Sequence, residues 1–193
     1  RSETEIIIPK ILDCGDKIYR KNKKLTLIDL GSGSGCIGLS IARERKNWKI
    51  IFTEKYSNAV KILRKNYNNF NLNNCYIVLS NWLKAFNNNI ADIIVSNPPY
   101  ISHKSTFVEN SVKNFEPMTA LYSKDVGFHD IQKIILESKK VLNKDGLLFL
   151  ENGYNQSNRV INTLRENSYE DINTILDYNN ICRFTLSRNT KNG

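Results

Sequence analysis

Leu25-Thr26-Leu27-Ile28-Asp29-Leu30-Gly31-Ser32-Gly33-Ser34-Gly35-Cys36-Ile37-Gly38 decides the fold. Residues 25–30 form a short, mostly apolar run closed by glycine, which reads as a buried strand. Residues 36–45 have helical spacing, so a glycine loop joins a strand end to a helix start. Glycines permit φ > 0 and let a ligand approach the backbone, while a helix N-terminus offers free N–H donors and a partial positive charge. Within the loop Gly33-x-Gly35-x-x-Gly38 matches the dinucleotide fingerprint. Glu54 closes the next strand at the separation from which a carboxylate holds a ribose diol.

Further strands are expected over 49–54, 75–80, 91–96 and 146–151, alternating with helices over 57–70, 129–142 and 156–167. Ser57 is the expected cap of the 57–70 helix. A helix over 4–19 precedes them, either kinked at Pro9 or starting near it. This alternation implies right-handed βαβ units around a largely parallel sheet. Strands 171–177 and 182–188 are joined only by Tyr178-Asn179-Asn180, too short for a helix, so they should pair antiparallel. The expected fold class is α/β: a doubly wound, mostly parallel, seven-stranded Rossmann-like sheet with an antiparallel C-terminal strand, residues 1–193 forming one domain. Residues 101–128 are a long segment of weak periodicity, of a kind often functional in compact domains.

Asn97-Pro98-Pro99-Tyr100 follows the apolar run 91–96. Each proline lacks an N–H donor and fixes φ, while its carbonyl stays free to accept. A rigid loop at a strand's end thus holds an amide side chain, an unpaired carbonyl and an aromatic ring together. That set suits a planar NH2 group, with two acceptors for its two hydrogens and a π-face beside it. Asn-Pro alone is also an ordinary turn starter. The glycine loop and Glu54 serve a NAD enzyme or an S-adenosylmethionine enzyme equally well. Asn97 tips the choice, because a dehydrogenase has no obvious use for Asn-Pro-Pro-Tyr beside its cofactor.

Composition narrows the classes further. The chain has 193 residues, 40% of them hydrophobic, enough for one domain with a core. Cys14, Cys36, Cys75 and Cys182 are scattered without C-x-x-C spacing, which fits reduced thiols. His103 and His129 have no ligand-spaced partner, so no metal site is expected. No run approaches the ~20 apolar residues of a membrane span and no signal peptide is visible. A soluble, cytoplasmic, monomeric protein is expected. The formal net charge of +9 fits an anionic partner such as RNA, or simply a composition rich in Lys, Asn and Ile throughout. The second reading is preferred, with Arg20-Lys21-Asn22-Lys23-Lys24 as a solvated turn, so direct nucleic-acid binding is not required.

Together these motifs resemble the release-factor glutamine methyltransferases, a family of class I S-adenosylmethionine-dependent enzymes. The resemblance rests on Arg1-Ser2-Glu3-Thr4-Glu5, the glycine loop, Asn97-Pro98-Pro99-Tyr100, Glu116-Pro117-Met118-Thr119-Ala120-Leu121, Glu151-Asn152-Gly153-Tyr154-Asn155-Gln156, and Asp177-Tyr178 with Arg183. It implies methyl transfer from S-adenosylmethionine to the side-chain nitrogen of the glutamine in the Gly-Gly-Gln loop of peptide chain release factors. It also implies that the family's helical N-terminal domain is absent from this chain. The cofactor residues it implies are Asp29, Gly31, Gly33, Gly35, Glu54, Asn81, Trp82 and Asn97. The catalytic set is Asn97, Pro98 and Tyr100, with Pro99 and Glu116 joining them in substrate binding. Glu116 would orient the substrate or brace the turn, and an ion pair is its plain alternative. Three positions depart from the family pattern: Ser2 for proline, Glu54 for aspartate, and Asn81 for the aspartate that faces the adenine amino group. Asn81 still accepts that bond but without charge, so somewhat weaker cofactor binding is expected; a simple turn residue is the other reading. The rival functions are a nucleic-acid methyltransferase acting on adenine N6 or guanine N2, a non-catalytic cofactor-binding scaffold and, third, a NAD oxidoreductase.

Overall fold

The computed structural model describes residues 5–99, 101–102, 122–123 and 128–190. In chain order the elements are α1 (Ile7–Asn22), β1 (Thr26–Leu30), α2 (Cys36–Glu44), β2 (Lys49–Glu54), α3 (Ser57–Tyr67), β3 (Cys75–Leu79) and β4 (Ala91–Ser96). There follow the two-residue strands β5 (Ile101–Ser102) and β6 (Tyr122–Ser123), which pair with each other, then α4 (His129–Val141), β7 (Leu142–Glu151), α5 (Ser157–Glu166), β8 (Tyr169–Leu176) and β9 (Cys182–Asn189). The seven-stranded sheet has the order β3-β2-β1-β4-β7-β9-β8. Pairings from β3 through β7 are parallel, and β9 runs antiparallel to both β7 and β8. The expected fold class is therefore the observed one.

Burial explains why the central strands were easy to read. In β2 and β4 nearly every residue is buried, because helices cover both faces of a parallel sheet. Alternate residues feed two cores. Leu27, Ile50 and Phe52 pack with Ile7, Ile11, Ile37 and Leu63 of the first three helices. Ile28, Leu30, Ile94 and Leu148 pack on the other face with Ile131, Ile135, Val160 and Leu164 of α4 and α5. Gly15 lets α1 dock, since a Cβ there would lie 2.1 Å from the Trp48 ring.

α1 starts at Ile7, two residues before Pro9, as the second alternative for that helix has it; the proline sits in the first turn, where its missing N–H has no intrahelical partner. Two details differ from expectation. Ser57 is not a cap: the extended Tyr56 holds that position and no side chain caps the helix. β7 starts at Leu142 rather than 146, because Leu142 pairs with Ala91 across a register shift that absorbs Asn143–Gly146 before the ladder resumes.

The register aligns the strands' carboxyl ends. Leu30 pairs with Thr53 and with Ser96, Glu54 with Leu79, and Ser96 with Leu150. Gly31, Glu54, Ser80, Asn97 and Glu151 consequently stand along one edge of the sheet.

Candidate functional site

The glycine loop is built on that edge and tied to β2. Gly31 and Ser32 both donate their N–H to the Thr53 carbonyl at 3.0 Å, and the Ser32 hydroxyl donates to the same oxygen. Gly31, Gly33 and Gly35 have φ of +69°, +56° and +85°, a region that side chains with a Cβ rarely adopt. The three glycines serve different ends. A Cβ on Gly35 would strike Leu63 and Leu39, and one on Gly31 would lie 3.1 Å from the Trp82 ring. A Cβ on Gly33 would meet nothing within 4 Å. Gly33 therefore faces open space, where a bound molecule can approach the backbone.

Two carboxylates support the loop. Glu54 accepts from the Gly33 N–H at 2.5 Å and from its neighbour Lys55 N–H at 3.1 Å. Asp29 is 2% exposed and accepts the Gly38 N–H in the first turn of α2 at 2.8 Å. Burial pushes the Asp29 carboxyl up to about 7, with the Gly38 hydrogen bond opposing the rise and the Glu54 charge adding to it. Asp29 thus braces the helix behind the loop. Gly38 completes the brace: a Cβ there would lie 2.3 Å from the Phe52 ring and 2.8 Å from Asp29 Oδ2.

β3 supplies a wall. Ser80 N–H donates to the Glu54 carbonyl at 2.8 Å, which fixes the chain just before half-buried Asn81 and Trp82. Trp82 has a φ of +54°, uncommon for an aromatic residue, and its Nε1–H donates to Asp130 Oδ1 of α4 at 3.2 Å. The ring is held against Gly31. Asp130 was invisible in the sequence, being 48 positions from the tryptophan it supports.

On the other side of β1, the Ser96 hydroxyl donates to the Leu30 carbonyl at 2.7 Å. Asn97, next in the chain, is half-buried beside the glycine loop; Pro98 is buried and Pro99 half-buried. Across β7 the buried Glu151 stands level with Asn97. Beyond it Asn152 donates to the Gly153 and Cys182 carbonyls, both at 3.1 Å, and accepts from Thr185 Oγ1 at 3.1 Å. Gln156 Oε1 accepts the Gly153 N–H at 3.0 Å. Asp177 accepts from Arg183 at 2.9 Å and from the N–H groups of Asn179 and Ile181. The motif residues after β7 and β8 thus build rigid turns. Glu151 carried a signal in its motif and was not placed in the site from sequence. Tyr100 and Glu116, together with Arg1 to Thr4, lie outside the described residues.

Strand order, glycine loop and edge carboxylate agree with a match between residues 12–118 and the model of the methyltransferase small domain family. The chain belongs to this family. Over 188 residues the methyltransferase domain is 34% identical to "Release factor glutamine methyltransferase" of Francisella tularensis subsp. tularensis, covering 97% of this chain and 65% of that protein. It therefore spans less than two thirds of that relative's length. Among solved structures, a methyltransferase from Pyrococcus furiosus superposes with a TM-score of 0.66 at 18% identity, covering 87% of this chain and 76% of that one. An S-adenosylmethionine-dependent O-methyltransferase from Thermotoga maritima gives 0.64 at 14% identity, covering 88% and 60%. Those two likenesses show the fold alone. The resemblance read from the motifs agrees with the family match and with the Francisella relative.

The residues present fit S-adenosylmethionine. Gly33 leaves room for a ligand to approach the loop, the Glu54 carboxylate offers acceptor oxygens for hydroxyls, and Trp82 offers an aromatic wall. No pyrophosphate is needed to use this set.

Proposed function

We propose that this domain transfers a methyl group from S-adenosylmethionine to the side-chain amide nitrogen of the glutamine in the Gly-Gly-Gln loop of peptide chain release factors. The observation that carries the reading is Asn97 beginning its proline-locked turn directly beside Gly31, through the Leu30–Ser96 pairing and hydrogen bond. The Francisella relative's name supports the substrate.

S-adenosylmethionine, when bound, supplies a methyl group activated by a sulfonium. Gly31, Gly33 and Gly35 would hold its methionine part, Glu54 the ribose hydroxyls, and Asn81 with Trp82 the adenine. Asp29 acts through Gly38, as a positioning residue. An amide nitrogen is a poor nucleophile, so the remaining task is orientation. Asn97 Oδ1 and the Pro98 carbonyl accept the two N–H bonds of the substrate amide, and Tyr100 packs on its plane. Both acceptors stabilise charge that grows on the nitrogen as the new bond forms. The proton becomes acidic during that step and passes to solvent water, so no strong base is required beforehand. Pro99 keeps the turn rigid and Glu116 orients the substrate loop. Release factors would meet this enzyme in the cytoplasm, and one copy of the domain contains the whole proposed site.

The test is incubation with methyl-labelled S-adenosylmethionine and, in separate reactions, a release factor, DNA or ribosomal RNA. Label on the Gly-Gly-Gln glutamine supports the reading. Label on nucleic acid alone overturns it in favour of a base methyltransferase, and cofactor binding without transfer overturns it in favour of a scaffold.

A further inference from the structure

The positive charge of this chain is not spread evenly. Residues 5–69 hold fourteen Lys and Arg against six Asp and Glu, nearly the whole formal charge of +9 in one third of the sequence. Folding concentrates it again. In a parallel sheet the connecting helices run against the strands, so α1, α2 and α3 all end at the amino edge of β1, β2 and β3. Their last turns hold Arg20 and Lys21, Arg43, and Arg64 with Lys65. Compensation of the helix dipoles accounts for cations there, at about 0.3–1 kcal/mol each.

It does not account for the cations beyond the helix ends. Lys23, Lys24, Lys46 and Lys49 are all exposed and lie in the connections or at the start of β2. Lys23 closes α1 with a φ of 58°, where glycine or asparagine is the usual choice. The acids near this pole are bonded to groups other than its exposed lysines. Asp16 pairs with Arg45 at 2.7 Å and Asp13 with Lys17 at 2.9 Å, and half-buried Asp92 accepts from the Thr26 N–H and from Asn143 Nδ2, both at 2.8 Å. Asp29 and Glu54 are buried under the glycine loop. Glu44 is the exposed acid that remains among the described residues of this pole. Farther along the sheet the balance differs: Arg188 is paired with Asp145, Glu170 and Asp171.

An aromatic ring completes the strip. The Lys49 N–H donates to the Leu25 carbonyl at 2.8 Å, and Ile50 pairs with Cys75, so Lys24, Lys49 and Tyr76 stand on three adjacent strand starts. Tyr76 is 52% exposed, with the Lys49 ammonium 4.9 Å from its ring centre. Cations alone would suit any acidic surface. Cations interleaved with an exposed ring suit a backbone of phosphates together with bases that stack. We propose that this amino-edge pole, formed by Lys21, Lys23, Lys24, Lys46, Lys49 and Tyr76, binds single-stranded nucleic acid. The pole lies opposite the carboxyl edge where Asn97 stands, so the strand is an anchor and not a methyl acceptor. The inference does not depend on which group the domain methylates.

Fluorescence anisotropy with a labelled 20-nucleotide oligouridine and the matching oligothymidine, titrated at 50–200 mM salt, tests it. Five phosphates contacted would give a log–log salt slope near about −3.5, at ~0.7 per phosphate on a single strand. Changing Lys21, Lys23, Lys24, Lys46 and Lys49 to Gln should reduce that slope by about 3 in magnitude and leave the circular dichroism spectrum and S-adenosylmethionine binding unchanged. Tyr76→Ala should weaken binding roughly tenfold with an unaltered slope, because stacking releases no counterions. A control with Lys10, Lys61 and Lys84 changed to Gln, all exposed and away from the amino edge, should bind as the parent does. Tighter binding of one oligonucleotide names RNA or DNA as the source. No binding at 50 mM salt, equal loss in the control, or equally tight binding of polyglutamate overturns the proposal.

Discussion

Replacing Asp29 with asparagine should change how stability depends on pH. The carboxyl is buried and rises from 3.8 to about 7 in the folded chain, burial being the main cause. Between those values the folded state holds a proton that the unfolded state has released. Stability attributable to this group is therefore fully present below about 4 and is lost as pH rises to about 7. A shift from 3.8 to about 7, at ~1.36 kcal/mol per pH unit, makes the loss about 4 kcal/mol. The side chain is almost wholly removed from water, so solvent screening does not reduce the figure. Asparagine keeps an oxygen for the Gly38 N–H and cannot ionise. Urea unfolding of both proteins at pH 4.5, 6, 7 and 8 isolates the effect as a difference. The Asp29→Asn chain should gain on the parent by several kcal/mol across that range, most of it below pH 7. Glu54→Gln should shift the transition to lower pH, because the Glu54 charge helps to raise the Asp29 value. A difference between the parent and the Asp29→Asn chain that stays constant with pH would refute the burial argument, since Asp29 would then be ionised throughout.

Gly38→Ala and Gly33→Ala should separate packing from ligand access. The first places a methyl 2.3 Å from the buried Phe52 ring and should cost about 1–3 kcal/mol in thermal or urea unfolding. The second meets no atom within 4 Å but keeps a φ of +56°, so about 1–2 kcal/mol of strain should accompany a larger loss of S-adenosylmethionine affinity by calorimetry. Asp130→Ala removes the acceptor of the Trp82 indole and should weaken cofactor binding roughly fivefold, at ~1 kcal/mol for the lost hydrogen bond, with little change in turnover at saturating cofactor. Asn97→Ala should nearly abolish methyl transfer while cofactor affinity stays within about twofold, as one of two aligned acceptors is lost; unchanged turnover would remove Asn97 from the mechanism.

The parts of the fold legible in sequence were those with a strong local cause. β2 and β4 were bounded correctly because burial on both faces makes each a continuous apolar run. The glycine loop was legible because three positive-φ positions must be filled by glycine or strained. The missed features are relations between distant residues. The Trp82–Asp130 bond joins positions 48 apart, and the Ser57 cap failed because Tyr56, already extended, occupies the capping position. The charge was legible in amount but not in place. Composition suggests a uniform excess of lysine, whereas a pole appears only once three helices are known to end on the same edge. Tyr100 and Glu116 lie outside the described residues, and the roles read from their motifs belong to the proposal.

β9 follows β8 in the sequence, yet in the sheet it lies between β7 and β8. During synthesis β8 emerges with no ladder to join, and the outer edge of β7 stays unpaired until residues 182–189 leave the ribosome. The turn at Asn152 waits as well, since two of its hydrogen-bond partners are Cys182 and Thr185. A chain stopped before β9 would lose two strands of seven and expose a long apolar edge. Completion of the sheet is thereby coupled to delivery of this one strand, and copies that lack it should be recognised as unfinished by the proteases and chaperones that survey open strand edges.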